Sequence, residues 1–537
     1  MSNAGQQRPQ RNFLKVYNQL GKAMRFDYIG APSFMYSGYG TYEGMLETLN
    51  PLMFESASYC DRTLTQLLLE YLSWYDDPCL LLSVGEGSLC RPTPLPFTVQ
   101  AYDDALYVVK AEATAPYSVG DRIVSINGKH IDEVRPEVER VLRSTIQERE
   151  DWSVVLAFAK RFTVQHDDGT CDEVDVGKEF SGIEQPSKMA RAVQLKTSTF
   201  RVLKAATEVK GSVGLLTIGS EDTNRFALAD DALIEQASQV DNLIIDVRAC
   251  AAGDREDLAG VLGLLIDKPL TRRDAWGTSD LMVNYSRHNV KARLDLLDAE
   301  AQTAQPASTD AGGTIADTTL DAGTTTDSVH IEAVAEQRNF NQDDALNQSD
   351  TPAAQIDTAT QEYVRYLTEH MGDGLVLEAA DDDDEITAVP LVHRPRKSVI
   401  VCGRETAHAG EWLVRAASVC PHVTTLGRAT RGSIDHTCLL SRELDNDFAL
   451  VYPTAIYRWA YESAAGGAAG ANNDASDTAD MSANTTVPQV AGLSESSAIA
   501  ATRGRGITPD VVVPWTPEHL SADIDLQRAL ETLGMRR

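Results

Sequence analysis

The pattern of apolar and polar positions divides the chain into helical and strand-forming stretches. An apolar stripe at helical spacing over residues 64–72, ended by the turn Asp76-Asp77-Pro78, predicts that residues 13–75 are helical. Further along, short apolar runs typical of buried strands alternate with helical stretches. The predicted strands lie at 213–218, 243–247, 399–402, 423–426 and 507–513, and the predicted helices at 227–239, 257–266, 411–418 and 525–533. This alternation predicts an α/β fold with parallel strands joined by crossover connections.

Residues 97–162 have a different pattern, in which short strands follow one another closely. Strands are predicted at 106–109, 119–126 and 153–158, and a helix at 134–142. The second strand enters Asn127-Gly128, a pair typical of tight hairpin turns. This segment therefore predicts a small β-rich module that precedes the α/β part.

Two stretches have low complexity. Residues 298–357 and 463–500 are rich in Ala, Thr, Asp, Ser and Gly and contain few aromatic residues. Such segments bury too little apolar surface to offset the entropy lost on ordering, so both are predicted to be disordered. Strand-like segments flank each stretch, which indicates insertions within a domain.

Charge and hydropathy exclude several classes of protein. The chain has 537 residues, with 48 Lys and Arg against 79 Asp and Glu, and a net charge of −31. Binding to nucleic acid through bulk positive charge is therefore excluded. No apolar run is long enough for a transmembrane helix, which predicts no stable membrane insertion. The N-terminus shows no apolar core of a secretory signal, which predicts a cytoplasmic protein and leaves export open.

Sequence patterns for metals and cofactors are absent. The eight cysteines are scattered without a CxxC pair, and no zinc spacing, HExxH or P-loop motif occurs. The sequence therefore predicts reduced thiols, no metal and no cofactor.

A series of short motifs carries the clearest functional signal. They are Ile-Asp-Val-Arg at 245–248, Thr-Ala-His-Ala-Gly-Glu at 406–411, Leu-Gly-Arg-Ala-Thr-Arg-Gly-Ser at 426–433 and Gly-Ile-Thr-Pro-Asp at 506–510, preceded by Asp-Asp-Pro at 76–78. In this order they resemble the carboxyl-terminal processing, or tail-specific, serine peptidases. The resemblance implies a crossover α/β (ClpP/crotonase-like) peptidase core over 190–296 and 358–537. It also implies an N-terminal helical region over 1–95 and a PDZ-like domain over 96–165.

The two catalytic positions depart from that family. The resemblance aligns its nucleophilic serine with His408 and its general-base lysine with Ser433. It makes Glu411, Asp246 and Arg248 structural support, and Ala409, Ala252 and Gly253 the oxyanion-binding positions. Because both reactive groups are replaced, we expect a protein that binds polypeptide by strand addition and whose peptidase activity is impaired or lost.

Alternative functions stay open at this point. Ser433 can act as nucleophile with His408 as its base, in an exchange of roles. Cys250 can also attack with His408 as base, although its position fits a small buried thiol as well. A further alternative is a non-enzymatic scaffold whose acidic insertions recruit basic partners. The oligomeric state is not predicted.

Two further residues have structural interpretations. Arg248 is predicted to pair with Asp246 or Glu411 and to hold the turn in which it lies. His436 follows Asp435 and is interpreted as a histidine in a surface loop.

Overall fold

The fold is known from a computed structural model of the chain. The structure describes residues 13–30, parts of 65–85, and 95–176, 198–203, 211–219, 229–303, 353–380, 384–461 and 506–534, with short gaps inside several of these ranges.

A predominantly parallel sheet forms the centre of the α/β part. Its strands, in spatial order, are Val511–Val512, Val423–Gly427, Lys397–Cys402, Asn242–Asp246, Val213–Thr217 and Thr199–Leu203. The first five are parallel, and Thr199–Leu203 pairs antiparallel at the edge. The prediction of parallel strands at these five places is confirmed. Four of them have bounds shifted by one to two residues, and the last covers only Val511–Val512 of the predicted 507–513.

Both faces of this sheet are buried, which explains the continuous apolar runs in the sequence. Ile244 and Val399 pack on one face against Ala529 of the helix Ile524–Thr532. Ile245 and Ile400 pack on the other face, in the same apolar cluster as Leu413. Alternate residues of each strand therefore face two separate parts of the core.

Helices cover the sheet at the predicted places. They are Asp231–Ser238, Ala259–Gly263, Ala409–Ala416 and Ile524–Thr532. The helix predicted at 257–266 is shorter, because its first turn is the 3₁₀ segment Glu256–Leu258. Asp230 caps the first of these helices by accepting a hydrogen bond from the Leu233 amide.

A second, antiparallel sheet connects the start of the chain to its later part. It comprises Leu81–Val84, Phe448–Tyr457, Leu281–Tyr285, Gly374–Glu378 and His436–Glu443, and the helix Phe13–Lys22 precedes it. Val16 and Leu20 of that helix share one apolar cluster with Leu450 and Tyr452. The helical region therefore packs on strands that lie more than four hundred residues further along the chain. Smaller elements are the strands Leu270–Thr271 and Ile386–Ala388 and the helix Arg272–Trp276.

The β-rich module has its own sheet and its own core. The strands are Phe97–Tyr102, Ala105–Ala111, Arg122–Ile126, Lys129–His130, Arg161–Gln165 and Cys171–Asp175, with the helices Ile131–Val138 and Ser153–Phe158. The predicted hairpin is confirmed, since Asn127 and Gly128 have φ angles of 53° and 85° between two paired strands. The last strand of this sheet, Cys171–Asp175, extends the module beyond the predicted end at 165.

The prediction of a strand at 153–158 is wrong, because the segment is the helix Ser153–Phe158. The β-branched pair Val154-Val155 favours a strand locally. Trp152 and Leu156, however, are both buried, and their spacing places them on one side of a helix. Burial of these two side chains in the module core therefore overrides the local preference.

The bounds of the first insertion also differ from the prediction. The helix Arg287–Thr303 extends past its predicted start, and the helix Ala353–Glu369 begins before its predicted end. Residues 304–352, and the second insertion at 463–500, lie outside the described residues. Among the helices that the structure describes, none is both long enough and apolar enough to cross a bilayer.

Candidate functional site

Three loops that carry the predicted site residues meet at one edge of the central sheet. The strands Asn242–Asp246, Lys397–Cys402 and Val423–Gly427 are parallel, so their carboxyl ends lie together. Cys250 follows the first strand, His408 the second and Ser433 the third. Such an edge is the usual place for a ligand site in an α/β sheet.

His408 lies at a strained turn between a strand and a helix. Its φ and ψ angles are 47° and −121°, in a region that non-glycine residues rarely occupy. Its carbonyl oxygen accepts hydrogen bonds from the amides of Glu411 and Trp412, at 2.9 and 3.0 Å. These bonds start the helix Ala409–Ala416 and hold the turn in place. Backbone strain of this kind persists only where the surrounding structure holds the residue in one conformation.

The imidazole of His408 is neutral at physiological pH. Burial of most of its surface, together with the Arg431 cation, lowers its pKa to about 4. A neutral imidazole can accept a proton, and it can also bind a ligand through either ring nitrogen.

The structure brings His408 and Ser433 together through the backbone. The His408 amide donates a hydrogen bond to Ser433 Oγ at 3.1 Å. Ser433 Oγ in turn donates to Glu411 Oε2 at 2.6 Å. The exchange of roles between His408 and Ser433 requires the imidazole to receive the serine proton. In this arrangement the proton points to the Glu411 carboxylate instead.

Glu411 is the centre of the hydrogen bonds at this site. Its Oε1 accepts from Thr430 Oγ1 and the Gly432 amide, both at 2.6 Å. Its Oε2 accepts from the Ser433 amide at 2.7 Å as well as from the hydroxyl. The side chain is completely buried, and burial raises its pKa even though all these donors favour the charged form. Glu411 thus fixes the loop 430–433 on the first turn of the His408 helix.

The predicted oxyanion-binding positions are partly occupied. The Ala409 amide donates to the Gly253 carbonyl at 3.0 Å, and the Ala407 amide donates to the Cys250 carbonyl at 2.9 Å. As an oxyanion donor, Ala409 must first give up its bond to Gly253. Gly253 itself has a φ of 90°, and Ala252 lies outside the described residues.

Cys250 lies inside the core, beneath the turn of His408. It has no exposed surface and belongs to the apolar cluster that contains Leu413. The backbone at Cys250 is so close to the helix Ala409–Ala416 that a Cβ on Gly410 would lie 3.0 Å from the Cys250 carbonyl oxygen. These surroundings are those expected of a small buried thiol.

Arg248 and Asp246 form an ion-pair cluster with the C-terminal helix. The guanidinium binds both Asp246 oxygens, at 3.0 and 2.7 Å, as the sequence analysis expected for this pair. It also contacts Asp523 and Asp525, at 2.9 and 3.1 Å. Arg428 binds Asp525 from the other side. Glu411, the other predicted partner, is occupied by the loop 430–433 instead.

Several residues at the site were not anticipated from the sequence. Thr430 binds Glu411, and the Arg431 carbonyl accepts a hydrogen bond at 3.0 Å from Arg149 of the β-rich module. His436, interpreted as a loop residue, begins a strand and lies 3.6 Å from Asp77. Thr430 and Arg431 lie inside the motif 426–433, which was the available signal. The contacts with Arg149 and Asp77 join distant segments and have no local signal.

The neutral state of His408 predicts a dependence of stability on pH. Its pKa is about 4 in the folded protein and about 6.5 in an unfolded chain. Between these values the unfolded chain binds more protons, so stability falls as pH decreases from about 6.5 to about 4. Through His408, the free energy of unfolding falls by at most about 3 kcal/mol over this interval. Solvent screening at the exposed part of the side chain makes the loss smaller. Unfolding by urea at pH 7 and pH 5 measures it, and His408→Gln should lose less stability than the parent over this interval. Equal losses in both proteins would contradict the assignment.

No family model matches the sequence, and no curated protein matches it. The structure of mature CPAF matches with a TM-score of 0.53 and 13% identity, over 97% of this chain and 95% of that chain. A point mutant of CPAF matches with a TM-score of 0.54 and 12% identity, over 97% and 96%.

A weaker match is the photosystem II D1 C-terminal processing protease, with a TM-score of 0.37 and 12% identity over 97% of each chain. That score is too low to establish a shared fold. The chain therefore has a fold similar to that of CPAF, and at 13% identity the similarity concerns the fold alone.

Proposed function

We propose that this chain is a tail-specific peptidase-like protein that binds polypeptide and has impaired or lost peptidase activity. The proposal includes a ClpP/crotonase-like core and a PDZ-like role for the β-rich module. It rests on the motifs that resemble tail-specific peptidases, on the fold shared with CPAF, and above all on the hydrogen bonds of Ser433.

The bonds of Ser433 support a loss of hydrolysis. A serine nucleophile needs a base that takes its proton and a free direction of approach for the substrate carbonyl. Ser433 is buried, donates its proton to Glu411, and accepts the His408 amide. At position 408, where the turn geometry would present a nucleophile, the side chain is a neutral imidazole. Neither position thus carries an available hydroxyl.

The arrangement of the β-rich module supports polypeptide binding. Arg149 of the module contacts the Arg431 carbonyl, and Glu148 accepts a hydrogen bond from the Trp515 amide at 2.9 Å. These contacts place the module beside the loop that carries Ser433. Its strand Phe97–Tyr102 lies at one end of the module sheet, the position at which an extended peptide can add as a further strand.

Labelling with a fluorophosphonate tests the loss of the nucleophile. We expect no modified serine in the full chain after treatment with the probe, by mass spectrometry of the digest. An active serine hydrolase in the same tube serves as the positive control. Stoichiometric modification of Ser433, or of any other serine, would contradict the proposal. So would cleavage of an unfolded protein that Ser433→Ala abolishes.

Binding is tested separately with one protein in two states. We expect the full chain to bind a fluorescently labelled, reduced and carboxymethylated protein, and not the same protein in its native fold. Fluorescence anisotropy measures both. Equal binding of the two states, or binding of neither, would remove the polypeptide-binding half of the proposal.

A further inference from the structure

Asp77, Cys79 and His436 form a cluster of metal-ligating side chains beside the site. Asp77 and Cys79 lie in the turn before the strand Leu81–Val84, and His436 begins the strand His436–Glu443. One ligand atom from each of the three residues lies within 4.8 Å of the other two. The second sheet brings these segments together, since both strands pair with the strand Phe448–Tyr457.

The carboxylate of Asp77 is held in one orientation. Its Oδ1 accepts a hydrogen bond from the Cys79 amide at 2.8 Å, and its Oδ2 accepts one from the Tyr28 hydroxyl at 2.8 Å. The side chain is almost completely buried, as is Cys79. Hydrogen bonds of this kind orient the ligands of metal sites and are an essential part of them.

The imidazole of His436 lacks a partner for one nitrogen. Its Nδ1 is buried without a hydrogen bond, although Asp77 Oδ1 lies only 3.6 Å away. The Cys79 thiol donates to the Ser433 carbonyl oxygen at 3.9 Å, a long hydrogen bond for sulfur. Within this cluster, His436 Nδ1 is thus the buried ligand atom without a hydrogen bond, and buried polar atoms in native proteins seldom stay unpaired.

We propose that Asp77, Cys79 and His436 bind a zinc-like divalent transition-metal ion. The donor set is one sulfur, one nitrogen and one oxygen, which favours zinc over calcium or magnesium. Three protein ligands leave one position of a tetrahedral ion for water or another ligand. Ligands bound at about 2.0–2.3 Å lie closer together than 4.8 Å, so the side chains close around the ion as it binds.

Charge balance favours occupancy of the buried site. The ion replaces the thiol proton, which leaves to solvent, and a sulfur–metal bond forms while the imidazole stays neutral. The thiolate and the Asp77 carboxylate then carry two negative charges against the two positive charges of the ion.

Cobalt(II) absorption tests this site directly. We expect the purified full chain to bind one equivalent of Co²⁺ with a thiolate-to-cobalt charge-transfer band, and added Zn²⁺ to displace it. Cys79→Ser should abolish the band, and His436→Gln should weaken Co²⁺ binding by more than the roughly 10–100-fold that loss of a residue that only orients a ligand costs. Cys171→Ser is the matched control, because Cys171 is an exposed cysteine and its loss should leave the band unchanged.

The outcomes separate the site from a structural effect. Circular dichroism without metal checks that each variant is folded. If Cys79→Ser is not folded, His436→Gln decides the test, because the His436 side chain retains some exposed surface and its replacement should perturb the fold less. Zn²⁺ should also raise the Tm of the parent, and it should not raise the Tm of Cys79→Ser where that variant is folded. The proposal would be overturned if the parent showed no charge-transfer band. It would also be overturned if folded Cys79→Ser kept the band, or if His436→Gln bound Co²⁺ with the affinity of the parent. None of these readouts depends on peptidase activity or on polypeptide binding.

Discussion

Glu411→Ala is expected to lower the free energy of unfolding by about 3–5 kcal/mol. The carboxylate accepts four hydrogen bonds, from Thr430, the Gly432 amide, and the amide and hydroxyl of Ser433. Alanine leaves all these donors buried without an acceptor, and each one left unpaired costs about 1–3 kcal/mol before the loop relaxes. Urea denaturation followed by tryptophan fluorescence measures the change.

Two variants serve as controls for Glu411→Ala. Glu411→Gln keeps one carbonyl acceptor and should lose less than alanine. Glu405→Ala removes an exposed carboxylate shortly before the same helix, and its effect should stay within about 0.5 kcal/mol. If Glu411→Ala lost no more than Glu405→Ala, the central role of Glu411 in this loop would be wrong.

Asp525→Ala is expected to have an effect of similar size in the separate ion-pair cluster of Arg248 and Arg428. Asp525 is completely buried and binds Arg248 at 3.1 Å and Arg428 at 2.5 and 2.9 Å. Removal of this carboxylate takes the shared anion from two guanidinium groups, and breaking a buried ion pair costs about 3–5 kcal/mol. Thermal and urea unfolding of the full chain measure the loss.

The size of the Asp525 effect depends on charge as well as on hydrogen bonding. Asp525→Asn keeps an acceptor and removes the charge, so its stability should lie between those of the parent and Asp525→Ala. Glu531→Ala on the same helix breaks only the exposed pair with Arg528 and should change stability by less than about 1 kcal/mol. If Asp525→Ala were as stable as Glu531→Ala, the prediction that Asp525 stabilises both arginines would be wrong.

The strands of the central sheet could be predicted from the sequence because both of their faces are buried. Runs such as Leu243 to Ile245 are apolar at every position, and their burial on both faces makes the run visible without knowledge of the partner strands. The segment 153–158 failed because its valines favour a strand, whereas Trp152 and Leu156 decide the outcome through burial in the module core. Local preference is informative only where the tertiary environment agrees with it.

Part of the candidate site could also be predicted. The motifs placed His408, Glu411 and Ser433 at the ends of successive parallel strands, and such ends necessarily meet. They did not reveal that Ser433 donates to Glu411, since a hydrogen-bond direction depends on the positions of all donors around the carboxylate. Nor did they show that the partners of Arg248, besides Asp246, come from the C-terminal helix.

By itself, the sequence determined the acidic charge, the alternation of strands and helices, and the short motifs that contain His408 and Ser433. These properties are local, because each depends on the identity and spacing of neighbouring residues. Only the tertiary structure decided where the Ser433 proton points, that the His408 imidazole is neutral, and that Asp77, Cys79 and His436 converge. The physical reason is that hydrogen bonds, burial and ligand geometry act between atoms that are close in space, and chain folding brings them together from segments hundreds of residues apart.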